Sequence, residues 1–147
     1  MENDNYFYYF AYASNLKVSL LEQRTGGKIE NYTQGRLLDY GFRFNKLNAD
    51  GSARANIIES ESEDVFGVVY QIDKKFEEIL LKTEPGYKLI SVPVETAQGN
   101  VQAFTFISDE DHEDIYPAKE YLSTILEGAK YHSLPEEYTD FIVSMSK

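Results

Sequence analysis

The sequence predicts an α+β fold in which antiparallel hairpins build a closed or strongly curled sheet with helices packed around it. Three observations predict it. The elements run strand, helix, several strands, helix, strands, helices, an order that suits neither an all-helical bundle nor a βαβ repeat. The turn signals "NADG" and "AQGN" each sit between two strand-like runs, as in hairpins. The chain carries 12 Tyr and 9 Phe but no Trp, and aromatic-rich strands fit a sheet or barrel with a large-residue core.

The opening run "YFYYFAY", Tyr6 to Tyr12, holds no charge and reads as a buried strand. Leu16 to Arg24 follows as a short helix with Leu16, Leu20 and Leu21 on one face. Ser14 or Asn15 is its expected N-cap, and Gly26–Gly27 its stop. "GFRFNKL", "NADG" and "ARANIIE" make a hairpin, and "DVFGVVYQI" a further strand whose Gly67 marks a bend or a close backbone approach. Asp73 caps a helix running to Lys82 with an apolar stripe of Phe76, Ile79 and Leu80. Pro85 cannot continue it. "YKLISVPVET" and "NVQAFTFIS" pair across "AQGN". After the acidic loop "SDEDHEDIY", "PAKEYLSTILEGA" is a helix with Pro in its first turn. Ser133 and Glu136 of "SLPE" have the spacing of a capping box, opening a last helix to about Met145. No repeat and no Gly-, Ser- or Pro-rich linker interrupts the chain, so one domain over residues 1–147 is expected.

Bulk composition narrows the function. The net charge of −11, from 25 acidic and 14 basic residues, argues against nucleic acid and against an anionic membrane surface as partners. No apolar run approaches the roughly 20 residues a spanning helix needs, and the acidic start "MENDN" lacks the basic region of a signal peptide. With no Cys there is no disulfide framework and no thiolate nucleophile. A cytoplasmic protein, monomeric or weakly dimeric, is expected.

There is no Gly-rich phosphate loop and no metal-ligand spacing, so neither cofactor nor metal is expected. His112 reads as part of a solvated acidic loop, and His132 as a packing or helix-end residue. Two stretches stand out. At Tyr12, Ala13, Ser14, Asn15 and Leu16 a strand breaks into a small-residue turn at a helix start, where free N–H groups can hold an anion. Any strand–turn–helix shares that geometry, and an ordinary cap explains it equally. The other is Glu84 in "KTEPGY". It sits at a helix C-terminus, whose negative dipole end disfavours the ionised carboxyl and is expected to move its pKa up, as a general acid or base requires.

Together these stretches resemble the γ-glutamylcyclotransferase family. "YFAYASNL" is similar to the family's Tyr-Gly-Ser-Asn-Leu signature, at Tyr12 to Leu16. Asp64 to Ile72 resembles the strand after its central hairpin, "TEPGY" the segment with its catalytic glutamate, and "GAKYHSLPEEY" its C-terminal helix–Leu-Pro–helix passage. Two positions depart: Ala13 replaces the signature glycine, where a positive φ would strain alanine, and Pro85 follows the glutamate in place of glycine.

The resemblance implies a small closed mixed β-barrel with flanking helices and a side cavity, lined by the signature turn, into which Glu84 points. It implies cyclisation of a γ-glutamyl amino acid or γ-glutamyl-amine to 5-oxoproline and a free amine, with Glu84 as general acid/base. The N–H groups of Ala13, Ser14 and Asn15 would hold the substrate carboxylate or the developing oxyanion, and Tyr12 and Tyr87 would wall the cavity. The attacking amine belongs to the substrate, which accounts for the lack of a Cys, a Ser–His pair or a metal. Glutathione or another γ-glutamyl conjugate is an alternative substrate. A non-catalytic binding protein using the same anion pocket is an alternative function.

Overall fold

A computed structural model describes residues 5–147; most of the acidic "MENDN" start lies outside the described residues. Five strands, β1 (Tyr6–Ala11), β2 (Tyr32–Leu47), β3 (Ala53–Asp73), β4 (Lys88–Thr96) and β5 (Gly99–Ile107), close into a barrel in the order β1-β3-β2-β4-β5. Four helices, α1 (Val18–Thr25), α2 (Glu77–Lys82), α3 (Lys119–Tyr131) and α4 (Glu136–Ser144), accompany it. All neighbouring strands are antiparallel except β1 and β5, which run parallel and meet at Tyr9 and Phe104. The expected closed mixed barrel is therefore the observed architecture. Closure removes the sheet edges that would otherwise expose unpaired backbone groups.

The interior is aromatic and branched: Phe10, Leu37, Phe42, Ile57, Val65, Val68, Tyr70 and Ile72 are inaccessible or nearly so. Each such side chain contributes about 1.5–3 kcal/mol through burial. Ile125 of α3 and Ile142 of α4 extend this core outward under the helices. No helix among the described residues is long and apolar enough to cross a membrane.

Several local features differ from the sequence reading. The run from Ala53 to Asp73 is one continuous strand of 21 residues, not a hairpin arm followed by a separate strand. In its polar middle, "SESED", only Asp64 pairs in register with β2; residues 60–63 fall at the break in the ladder and are half-buried or exposed. The ladder shifts register between Leu38 and Tyr40, at Asp39 with φ 64°, and again between Phe44 and Lys46.

The predicted first helix splits into a 3-10 turn at Ser14–Leu16 and then α1 from Val18. Neither Ser14 nor Asn15 caps it: Ala13 and Lys17 hold the capping positions without side-chain bonds, because the Ser14 and Asn15 side chains bond elsewhere. Gly26 ends α1 in the left-handed conformation, its N–H bonded to Glu22 O. Asp73 caps not α2 but a 3-10 turn at Lys74–Phe76, accepting from Lys75 N, and α2 follows with Phe76 at its uncapped start; Ile79 of the expected stripe is 43% exposed and Leu80 alone is buried on α2. Pro117 lies outside α3, which continues to Tyr131, and the Ser133–Glu136 capping box does not form. The Ser133 carbonyl instead accepts from Gln34 Nε2, and Pro135 precedes α4.

Two glycines serve close approach. A Cβ on Gly67 would lie 2.2 Å from Ala11 O, and one on Gly128 would lie 2.5 Å from Leu16 Cβ and 2.8 Å from Lys17 N. Gly128 thus lets α3 lie directly on the 3-10 turn. Gly128→Ala should cost about 2 kcal/mol, since overpacking a tight contact typically costs 1–3 kcal/mol. Thermal unfolding of the variant should show the corresponding drop in Tm.

Candidate active site

The turn after β1 is held from several sides. Tyr12 Oη donates to Phe106 O on β5 (2.7 Å). Tyr70 Oη, from β3, donates to the carbonyls of Asn15 (2.8 Å) and Leu16 (3.1 Å). His132 Nε2 lies 2.8 Å from Leu16 O; a carbonyl only accepts, so this nitrogen carries the proton. Arg24 Nη1, in the last turn of α1, donates to Ser14 Oγ (3.1 Å) and Asn15 Oδ1 (2.7 Å). The side chains expected to cap a helix are thus committed to Arg24, while Leu16 N and Lys17 N close the turn onto Ala13 O and Ser14 O. The N–H groups of Ala13, Ser14 and Asn15 have no acceptor among the described residues. Ala13 has φ −130°, outside the left-handed region, so alanine replaces the signature glycine without backbone strain.

The second stretch is a tight turn. Tyr87 N donates to Glu84 O (3.3 Å), with Pro85 and Gly86 between them and Gly86 at φ 85°. Proline second and a positive-φ glycine third is the pattern of a type II turn. Pro85 therefore has a structural reason to follow Glu84: it sets the turn that aims Glu84 and Tyr87 to the same side. Tyr87 Oη donates to Ala55 O (2.6 Å), and its ring carries the Arg54 guanidinium and the Lys46 ammonium, each 5.2 Å from the centroid.

The two stretches meet. A narrow cleft, partly open to solvent and with a cavity volume of only about 20 Å³, is lined by Tyr9, Tyr12, Ala13, Ser14, Asn15, Glu84 and Tyr87 together with Arg54, Ala55, Phe106 and Tyr121. Glu84 lies in it at 7% exposure. Its Oε2 accepts from Arg54 Nη2 at 2.7 Å. Its Oε1 has only looser neighbours, Asn15 Nδ2 at 3.4 Å and Arg24 Nη1 at 3.7 Å. Asn15 Nδ2 also donates to Tyr9 Oη (2.9 Å), which ties the turn to the barrel wall. The sequence reading weighed the helix end and burial at Glu84; it did not foresee the two guanidiniums that stand beside the carboxylate.

Burial pushes the phenols of Tyr9, Tyr12, Tyr87 and Tyr121 up from their ordinary range, so they stay protonated at neutral pH; Tyr12 and Tyr87 donate to carbonyls, while Tyr9 and Tyr121 accept from Asn15 Nδ2 and Ala55 N.

Of the residues singled out from sequence, Leu16 does not line the cleft. It is fully buried, against Gly128. His132 is buried at the end of α3 among the rings of Tyr32, Tyr70 and Tyr131. His112 is exposed and bonded to Glu110. The acidic loop is less free than expected: Glu110 binds Lys46 Nζ (2.9 Å) and Leu47 N, and Asp111 accepts from Asn45 Nδ2. No cluster of three or more His, Cys, Asp or Glu among the described residues is placed to hold a metal ion.

Sequence reasoning missed Tyr9, Arg24, Arg54 and Tyr121. Arg54 carried one visible signal, a cation inside the otherwise small and apolar run "ARANII".

Among the described residues, Glu84 is the one buried carboxylate, and it shares its cleft with the turn of Ala13, Ser14 and Asn15 in the wall of a closed barrel. Residues 64–142 match the AIG2-like family. The γ-glutamylcyclotransferase of Bos taurus is 31% identical over 141 residues, covering 90% of this chain and 74% of that protein. Its counterpart in Mus musculus is 29% identical over 143 residues, covering 91% and 76%. A solved γ-glutamyl cyclotransferase structure superposes with a TM-score of 0.85 at 28% identity, over 95% of this chain and 87% of the other. The chain belongs to the AIG2-like family, which includes these γ-glutamylcyclotransferases.

Two predictions concern the scaffold of the cleft. Tyr87→Phe leaves Ala55 O without its donor and should lower stability by about 1–2 kcal/mol, read by denaturant unfolding. Burial lowers the pKa of His132 from the ordinary 6.5, the Leu16 carbonyl opposing it. The folded protein therefore binds fewer protons there than the unfolded chain. The contribution is full above pH 6.5 and is lost as pH falls from 6.5. Unfolding between pH 7 and pH 5 should show this loss, with a shallower slope for His132→Gln.

Proposed function

We propose that the protein is a γ-glutamylcyclotransferase that converts a γ-glutamyl amino acid or γ-glutamyl-amine to 5-oxoproline and a free amine. The observation that carries this reading is Glu84: a buried carboxylate with one oxygen tightly paired and the other loosely held, opposite unpartnered N–H groups. Hydrolysis by a protein nucleophile would need a thiol or a serine–base pair. The chain has no Cys, and the cleft's serine, Ser14, bonds to Arg24 rather than to a base.

The chemistry needs little else. Binding folds the γ-glutamyl chain so that its α-nitrogen reaches the γ-carbonyl carbon, supplying the proximity that dominates an intramolecular reaction. Glu84 Oε1 takes a proton from the attacking nitrogen. The new C–N bond closes the five-membered lactam, and the carbonyl oxygen becomes an oxyanion. Collapse breaks the bond to the leaving nitrogen, which receives a proton from Glu84. No water is consumed, and the enzyme ends in its starting protonation state. The N–H groups of Ala13, Ser14 and Asn15 serve as the anion-holding face, and the protonated phenols of Tyr12, Tyr87 and Tyr121 form a wall that offers no competing base. Confinement of the reaction to the cytoplasm belongs to the same proposal, in keeping with a chain free of Cys.

The test is direct. The purified protein is incubated with γ-glutamyl amino acids, γ-glutamyl-amines and glutathione, and 5-oxoproline is measured. Product is expected from at least one class. Glu84→Gln keeps the shape but cannot take the proton, and its kcat should fall at least 100-fold with an unchanged fold, the usual range for loss of a general base being about 10²–10⁴. Ligand binding without product from any class would instead establish a binding protein.

A further inference from the structure

We propose that Arg54 is a positioning residue for this reaction: its guanidinium fixes Glu84 Oε2 and so leaves Oε1 as the oxygen that moves the proton. The inference rests on the function proposed above and adds a residue that the motif stretches do not contain.

The carboxylate is asymmetric. Arg54 Nη2 reaches Oε2 at 2.7 Å, a charge-assisted bond of full strength, whereas the neighbours of Oε1 lie at 3.4 and 3.7 Å. A carboxylate oxygen so held points its lone pairs at the cation and is a poor proton acceptor; its partner oxygen is the free one. Rotation of the carboxyl group would exchange the two, and Arg54 prevents it.

Arg54 is itself fixed. Its side chain is 19% exposed. The guanidinium lies over the ring of Tyr87, 5.2 Å from the centroid. Ala55, the next residue on β3, is gripped on both backbone groups: its N–H donates to Tyr121 Oη (3.0 Å) and its carbonyl accepts from Tyr87 Oη (2.6 Å). Strand β3 therefore holds both ends of the Glu84–Tyr87 turn, Glu84 through Arg54 and Tyr87 through Ala55. An arginine suits this place better than a lysine, because a planar cation can stack on a ring and donate in its own plane at once.

Arg24 has a different part. Its Nη1 is already spent on Ser14 Oγ and Asn15 Oδ1, and it stands beyond hydrogen-bonding distance from Oε1. It organises the turn and leaves Oε1 unclamped.

The experiment compares wild type with Arg54→Gln, Arg54→Lys and Arg54→Ala on the best γ-glutamyl substrate. Thermal unfolding of each variant separates folding from function. For Arg54→Gln, kcat should fall at least tenfold while KM stays within about twofold. Arg54→Lys should keep an intermediate kcat. Guanidinium ion at low, non-denaturing concentration should restore part of kcat to Arg54→Ala and leave Glu84→Gln unchanged, a rescue that a purely structural loss would not show. Wild-type kcat in Arg54→Gln overturns the positioning role alone. A raised KM at wild-type kcat also overturns it, because Arg54 would then be binding substrate. Absence of rescue, with Arg54→Lys as inactive as Arg54→Ala, overturns it as well. A wild type that forms no 5-oxoproline from any conjugate overturns the proposed function itself, and the positioning role with it.

Discussion

A carboxylate shut away from water must be compensated, and the compensation of Glu84 organises the whole face of the barrel around it. An unpaired buried charge would neutralise or break the fold. Here cations arrive from two elements, Arg54 from β3 and Arg24 from α1, and an amide arrives from the turn between β1 and α1. These groups bring together segments that share no local reason to meet. The turn at Ser14 and Asn15 holds its shape because Arg24 spans it, and the Pro85–Gly86 turn is docked through Arg54 and Ala55.

The same network explains why the site is aromatic. Tyr12 and Tyr87 donate to the carbonyls of Phe106 and Ala55, and Tyr9 and Tyr121 accept from Asn15 Nδ2 and Ala55 N, all without adding charge. A low-dielectric surrounding strengthens the few charged contacts that remain. A reaction whose nucleophile belongs to the substrate needs little more than a shaped, water-poor space with one proton carrier.

Much of this was legible in the sequence, though unevenly. The apolar run Tyr6–Tyr12, the hairpin at "NADG" and the stop at Pro85 are local signals, and each corresponds to an element in the structure. The polar middle of β3 was not legible as strand. A stretch at a break in the ladder, half-buried or exposed throughout, carries no alternation, so "SESED" looks like a connection between elements. The caps misled for a related reason: Ser14 and Asn15 have the chemistry of N-caps, but a stronger donor, Arg24, claims their side chains. Glu84 stood out through its turn and its resemblance, whereas Arg54 acquires meaning only once β3 lies beside a turn 30 residues later. The nearness of a cation in space has no counterpart in the nearness of letters.

The contact between His132 and Leu16 O carries a consequence for the order of events as the chain is made. The opening turn is synthesised first, yet two of its carbonyl contacts come from Tyr70 and from His132 at the far end of α3. Tyr121, which grips Ala55, also belongs to α3. A ribosome-bound chain that has released only its strands can close a barrel but cannot finish the pocket. The site therefore matures last, when α3 lies down across Leu16. Until then Glu84 has Arg54 and Arg24 beside it, but Ala55 N lacks Tyr121 Oη and Leu16 O lacks His132.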